Sequence, residues 1–326
     1  SRGVYNTRLS VYLKLTSDEQ PDVVGVGECA TLPDLSCDAM PPNEYERKLR
    51  TFCDEYERTG VIDYEALRPY PSMLFGLETA VAQFNAKGSL NFFNTPFGRG
   101  EEGIPINGLV WMGTFKEMFE RLEAKLKAGF RCIKIKIGAI DFDRELQLIR
   151  HIRSTFSRND VELRVDANGG FTPEEALSRM EALVQYDIHS IEQPIKQHQW
   201  TEMARLCAAT PLPIGLDEEL IGVNERQKKI ELLDTIRPQY IVLKPSLHGG
   251  MAGTEEWIQL ARERNIGSWI TSALESNVGL NAIAQLTANI YGTNIRHAQG
   301  LGTGQLFADN IEMPLKVVGD KLWIVQ

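Results

Sequence analysis

GFRCIKIKIGA, residues 129–139, alternates isoleucine with lysine through its middle. Side chains two apart on a strand share a face, so Ile133, Ile135 and Ile137 turn one way while Lys134 and Lys136 turn the other. The isoleucine run reads as a buried strand, and lysine is almost never buried without a partner. The lysine face must therefore meet a special environment, and locating it decides the fold.

Working outward, short β-rich runs alternate with helical patterns from about residue 106 to about residue 303, the rhythm of parallel strands joined by crossover helices. Strands are predicted over 106–111, 133–138, 162–168, 190–194, 214–218, 240–246, 268–276 and 295–303. Between them, TFKEMFERLEAKLKAGF repeats Phe115, Met118, Leu122 and Leu126 at helical spacing, with Gly129 suited to the C-cap. TPEEALSRMEALVQY opens on Thr172 as N-cap, with Pro173 at the first helical position and Glu175 three residues after the cap. Eight such units predict an α/β fold of the (β/α)8 TIM-barrel type, for which ~250 residues is typical. No GxGxxG follows a first strand, which weakens an open dinucleotide-binding sheet. The first hundred residues read differently. RLSVYLKL and VVGVGECA are β-rich, and NEYERKLRTFCDEYE and SMLFGLETAVAQFNAKG are helical, so a separate α+β domain is expected.

Composition narrows the function. With 43% hydrophobic and 24% charged residues in 326, the chain is globular. A net charge of −9 and a pI near 5.3 argue against nucleic acid or an anionic membrane as partner and favour a small-molecule substrate. No apolar run reaches the ~18–20 residues of a membrane helix, and SRGVYNTRLS is not a signal peptide. Cys29, Cys37, Cys53, Cys132 and Cys207 form no CxxC pair, so free thiols and a cytoplasmic setting are expected. The chain does not start with Met, from which we expect a first strand ahead of Ser1 in the natural protein.

The lysines acquire company further along. RVDAN carries Asp166, IEQP carries Glu192, LDEE carries Asp217 and IVLKPS carries Lys244, each near a strand end. The gaps are 30 (136 to 166), 26 (166 to 192), 25 (192 to 217) and 27 (217 to 244), each about one βα unit, so the charges should occupy neighbouring strands at one height. In a βα barrel that height is the C-terminal end of the strands, where catalytic residues collect. Three converging carboxylates need a cation between them, and oxygen-only donors favour Mg²⁺, with Mn²⁺ as a substitute, over Zn²⁺. Lysines flanking such an ion are expected to have lowered pKa values and to serve as proton acceptors, which suits removal of a proton α to a carboxylate.

Each residue alone has a duller reading. A strand lysine commonly snorkels at an edge, and an Asp at a strand end commonly caps the next helix. A series in register on consecutive strands overrides these readings, because each buried charge would need its own compensation. His151, His189, His198, His248 and His297 follow no ligand spacing and are expected mostly at the surface or in loops. GLGTG, residues 300–304, could cradle an anion, although a glycine-rich turn is weak evidence.

KIKIG, RVDANGGF, IEQP, GLDE, VLKPS and SALESNVGL, in that order and at these intervals, resemble the muconate lactonizing enzyme subgroup of the enolase superfamily over essentially the whole chain. The resemblance implies Asp166, Glu192 and Asp217 as ligands of Mg²⁺, Lys136 as the acid/base on one face of the substrate, and Lys244 on the opposite face. It implies Lys134 as the companion that keeps Lys136 deprotonated. It also implies a modified (β/α)7β barrel over residues 105–304 and an N-terminal capping domain over 1–104, completed by about 305–326. Loop ATLPDLSCDAMP would then close over the barrel mouth.

Within the subgroup, TSALESNVGL, GLGTGQLF and SRGVYNTR resemble the o-succinylbenzoate synthases, which implies syn elimination of water from a succinyl-bearing cyclohexadiene carboxylate in menaquinone biosynthesis. Ser272, Glu275, Ser276 and Gly302 are the expected substrate surroundings. The alternatives are an N-acylamino-acid racemase or dipeptide epimerase and, from another class, a non-catalytic metal-binding barrel. GLGTG stands where acidic or cationic dipeptide epimerases carry Asp-x-Asp, which argues against them. A homo-oligomer is compatible with all of these readings.

Overall fold

A computed structural model describes residues 7–325. The first six residues of SRGVYNTR, and any strand ahead of Ser1, lie outside the described residues. The chain begins with an antiparallel hairpin, β1 (Val11–Ser17) against β2 (Gln20–Cys29), in which Val11 faces Cys29. Three helices follow, α1 (Pro42–Thr59), α2 (Tyr64–Leu67) and α3 (Pro71–Asn85). Helix α3 is buried along most of its length, as its run of small and apolar residues dictates.

β3 (Ile104–Pro105) leads into the barrel. Its strands are β4 (Gly108–Val110), β5 (Cys132–Lys136), β6 (Glu162–Asp166), β7 (Ile188–Glu192), β8 (Ile214–Leu216), β9 (Tyr240–Leu243) and β10 (Gly267–Ile270), all parallel and paired in chain order. The intervening helices are α4 (Phe115–Lys127), α5 (Phe142–Thr155), α6 (Pro173–Val184), α7 (Trp200–Ala209), α8 (Arg226–Ile236), α9 (Gly250–Arg262) and α10 (Asn277–Tyr291). Thr114 and Thr172 cap α4 and α6, each with the full capping box closed by Glu117 and Glu175. Among the described residues no helix is long and apolar enough to cross a membrane.

Two strand expectations need correction. Residues 295–303 form no strand. Gln299 and Gly300 instead make single bridges to Ile106 and Thr271, so this segment wedges between β4 and β10. A Cβ on Gly300 would stand 2.1 Å from Thr271 Oγ1, so only glycine permits this closure. The seventh strand stops at Ile270 rather than Ser276, because Leu274 takes φ +61 and Ser276 caps α10 through Val278 N. The C-terminal hairpin, β11 (Leu315–Val318) and β12 (Lys321–Ile324), pairs with β3.

Two carboxylates of the N-terminal segment sit on the N-termini of barrel helices, where backbone N–H groups have no helical partner. Glu28 accepts from Ser276 N (2.9 Å) and Gly279 N (2.8 Å) at α10. Glu78 accepts from Met251 N and, at 3.0 Å, Ala252 N at α9. Gly250, at φ +70, leaves room for this contact, since a Cβ there would lie 2.3 Å from Glu78 Oε2.

Burial pushes the Glu78 carboxyl from the usual 4.5 up to about 8, with Glu255 adding to the rise, although the two amides oppose it. A carboxyl with a raised folded-state pKa stabilises the fold most below its unfolded value, and that contribution is lost as pH rises through about 8. The melting temperature of the wild type should therefore fall more between pH 6 and pH 8.5 than that of Glu78→Gln. Parallel pH profiles for the two proteins would refute this.

Candidate active site

The alternation read from GFRCIKIKIGA is realised. Ile133, Ile135 and Ile137 are fully buried in the main core, while Lys134 and Lys136 point into the barrel. Registry places Lys136 beside Asp166, and Asp166 beside Glu192. Glu192, however, pairs with Gly215, and Leu216 pairs with Ile241. Asp217 therefore stands two residues past Glu192's partner, and Lys244 stands beyond the end of β9. Barrel strands are tilted and staggered, so residues at one height along the axis are not those in hydrogen-bonded register. One oxygen each of Asp166, Glu192 and Asp217 still falls within 4.8 Å of the other two.

The three lysines are held by this triad. Lys134 Nζ donates to Glu192 Oε2 (2.9 Å), Glu192 Oε1 (3.1 Å) and Asp166 Oδ2 (3.3 Å). Lys136 Nζ donates to Asp166 Oδ2 (2.5 Å) and Asn168 Oδ1 (2.8 Å). Lys244 Nζ, from the opposite side, donates to Asp217 Oδ1 (2.6 Å) and Oδ2 (2.5 Å). Their side chains are only 10%, 7% and 11% exposed, which excludes the snorkelling reading.

Electrostatics set by these groups differ from the sequence expectation. Burial pushes Lys134 down, but Glu192 and Asp166 outweigh it and hold the ammonium above the ordinary lysine value. Lys244 is likewise raised, with Asp217 and Glu218 overcoming burial. The expected lowering of lysine pKa values needs a cation to draw the carboxylates away from the ammonium groups.

Glu192 shows that the triad suits such a cation. Burial, with Asp166 and Asp217 adding to it, pushes its carboxyl up to about 7 in spite of Lys134. Asp166 goes the other way, because Lys136 and Lys134 overcome burial and hold it well below the usual range. A buried, crowded set of hard oxygen donors with no sulfur or imidazole matches a hard divalent cation.

Four further residues complete the site. Asn168, at φ +43, accepts from Lys136 and donates to Glu218 Oε1 at 2.8 Å. Gln193 Oε1 accepts from the backbone of Asp217 and Glu219, each at 3.2 Å, and so braces the loop that carries Asp217. Trp111 lies beneath Lys136, whose Nζ is 5.5 Å from the ring centroid. His248 sits in the turn that follows β9. It is fully buried, and its Nδ1 accepts from Lys244 N at 2.8 Å.

The lysines line a cavity of about 450 Å³, which adjoins an outer one of about 990 Å³. Ser272 and Gly302 line the inner cavity, Ser276 lines the outer one, and Glu275 lines neither. Glu275 is turned inward to accept from Ser246 Oγ and from Ala273 N, at 2.7 Å from the latter, so it braces the turn instead. Leu35, from loop ATLPDLSCDAMP, reaches the inner wall, and Leu32 beside it packs on Leu247 and Ala273.

A barrel whose strand ends gather three carboxylates between opposed lysines defines the enolase class. A family model described as enolase C-terminal domain-like matches residues 117–320. The chain belongs to the enolase superfamily, in the muconate lactonizing enzyme subgroup. An o-succinylbenzoate synthase of Desulfotalea psychrophila (strain LSv54 / DSM 12343) is 45% identical to it, across 99% of this chain and 94% of that one. The crystal structure of MenC from Desulfotalea psychrophila LSv54 superposes with a TM-score of 0.82 at 42% identity, over 98% of each chain. The L-Ala-D/L-Glu epimerase from Bacillus subtilis, in a substrate-liganded complex, shares the fold at 21% identity, with a TM-score of 0.78 over 97% of this chain and 88% of that one. Enzymes of this superfamily use a divalent metal, and the buried triad fits one.

Proposed function

We propose that this chain converts 2-succinyl-6-hydroxy-2,4-cyclohexadiene-1-carboxylate to o-succinylbenzoate by syn elimination of water, a step of menaquinone biosynthesis. The observation that carries the reading is the pair of opposed cationic walls, Lys134 and Lys136 on one side and Lys244 on the other, across a buried carboxylate triad. Near-full-length similarity to an o-succinylbenzoate synthase supports the choice of reaction.

Asp166, Glu192 and Asp217 would hold Mg²⁺. When bound, the ion supplies positive charge next to the substrate carboxylate, where the enediolate's negative charge develops. Lys136, as free amine, takes the α-proton. The same nitrogen then returns a proton to the departing hydroxyl as the C–O bond breaks, so water leaves from the face that lost the proton. Lys134, the companion of Lys136 on the same face of the strand, keeps its charge through Glu192 and Asp166. Lys244 remains an ammonium facing the opposite side of the ring and stabilises the enediolate without exchanging a proton. Formation of the aromatic ring drives the elimination.

Residues 1–104 with 305–326 would act as the cap over a barrel of residues 105–304. Seating of Leu35 in the cavity wall supports that division. Five free cysteines support a cytoplasmic setting.

The test is an ultraviolet assay with the cyclohexadiene carboxylate, with and without Mg²⁺. Metal-dependent loss of the diene with appearance of o-succinylbenzoate is expected, and no conversion by folded, Mg²⁺-loaded protein would overturn the reading.

A further inference from the structure

The inner cavity holds more positive charge than the triad neutralises. Lys134, Lys136 and Lys244 are matched by three carboxylates, yet Arg121 and Lys125 line the same cavity. They stand four residues apart on α4 and so share one helix face.

Arg121 is fixed in place. Its Nη1 donates to Trp111 O (2.9 Å) and Met112 O (2.8 Å), which leaves Nε and Nη2 to other acceptors. Its nearest carboxylate, Glu117, is 4.0 Å from Nη2, beyond hydrogen-bonding distance. Lys136 lies over the ring of the same Trp111, so the guanidinium and the proposed base flank one tryptophan. Arg121 also lines the outer cavity and thus marks where the two meet. Lys125 makes no ion pair among the described residues. Its Nζ reaches only Gln305 Oε1 at 3.3 Å and the Phe130 ring at 5.0 Å, and burial pushes its pKa down.

We propose that Arg121, with Lys125 one turn further along α4, receives the carboxylate at the end of the substrate's succinyl arm and so selects a dicarboxylate. The inference rests on the dehydration reading. A pre-oriented guanidinium edge with two unused donors matches a carboxylate in fork geometry. A neutral or cationic tail would offer the free guanidinium edge and the Lys125 ammonium no anionic acceptor, so the same pair disfavours amino-acid and dipeptide substrates with such tails.

The experiment compares binding of o-succinylbenzoate and of its methyl ester at the succinyl carboxylate to the full, Mg²⁺-loaded chain by calorimetry. The wild type should prefer the diacid by about 10- to 100-fold, the range for a hydrogen bond to a charged group. Arg121→Met should bring that ratio close to one, Arg121→Lys should restore part of it, and Lys125→Met should lower it less. Because each variant is judged by its own ratio, a general loss of fold or affinity does not mimic the result. An undiminished ratio in Arg121→Met overturns the proposal, as does a ratio near one in the wild type. Wild-type protein that binds the diacid selectively but does not dehydrate the cyclohexadiene overturns the dehydration reading alone. Binding of neither ligand by the wild type overturns both.

Discussion

Lys136→Ala is expected to lower kcat by about 10³- to 10⁴-fold, toward the upper end of what a positioned acid/base contributes. The fold should survive, because Asp166 keeps Lys134 as its counter-charge and the isoleucines on the other face of β5 are untouched. The decisive readout is exchange of the substrate α-proton with D₂O in the presence of Mg²⁺. Lys136→Ala should abolish it, whereas Lys244→Ala should still exchange while turning over slowly, since the proposed mechanism asks Lys244 for charge and not for a proton. Exchange that persists in Lys136→Ala would remove that residue from the role of base. Equal loss of exchange in both variants would point to two-base chemistry of the racemase kind.

Chelation is the second large effect. Excess EDTA should take turnover to background, yet the protein should remain folded. The reason lies in the geometry: each carboxylate of the triad already has an ammonium partner, Glu192 with Lys134, Asp166 with Lys136 and Asp217 with Lys244. Breaking one such pair should cost far more than removing the ion. Asp217→Asn leaves Lys244 buried without its carboxylate, and loss of one partner of a buried pair destabilises by about 3–5 kcal/mol. Denaturant unfolding of both proteins in EDTA checks this. Added Mg²⁺ should stabilise the wild type by about 2.7 kcal/mol at a hundredfold excess over Kd and should do little for Asp217→Asn. Wild-type protein that unfolds on chelation would contradict the ion-pair account.

Part of the site was legible because charge is costly to bury. Lys134, Lys136, Asp166, Glu192, Asp217 and Lys244 each break an apolar run, and their spacing repeats the length of a βα unit, so the set stands out without any coordinates. Asn168, Gln193, Trp111 and His248 were not legible as contributors. Their side-chain types are ordinary in loops and cores, and their roles exist only through partners 24 to 50 residues away or through a backbone amide. Glu275 differs from its expected place for a related reason: an acid beside a serine near a strand end looks available for substrate, but the turn at Leu274 aims it at Ser246 and Ala273 N.

Local pattern determined the alternating strands and helices, the opposed faces of β5 and the identity of the six charged residues, because period, capping and the cost of burial act within short stretches of chain. Only the tertiary structure decided that the last barrel position is closed by two single bridges at Gln299 and Gly300, and that Arg121 and Lys125 share a cavity with the lysines. It also decided that Asp217 reaches the triad from two residues beyond Glu192's register partner. Stagger between tilted strands, the approach of α4 to the closing segment and the seating of Glu28 and Glu78 on α10 and α9 depend on contacts between distant parts of the chain, and those distances are written in packing and not in spacing.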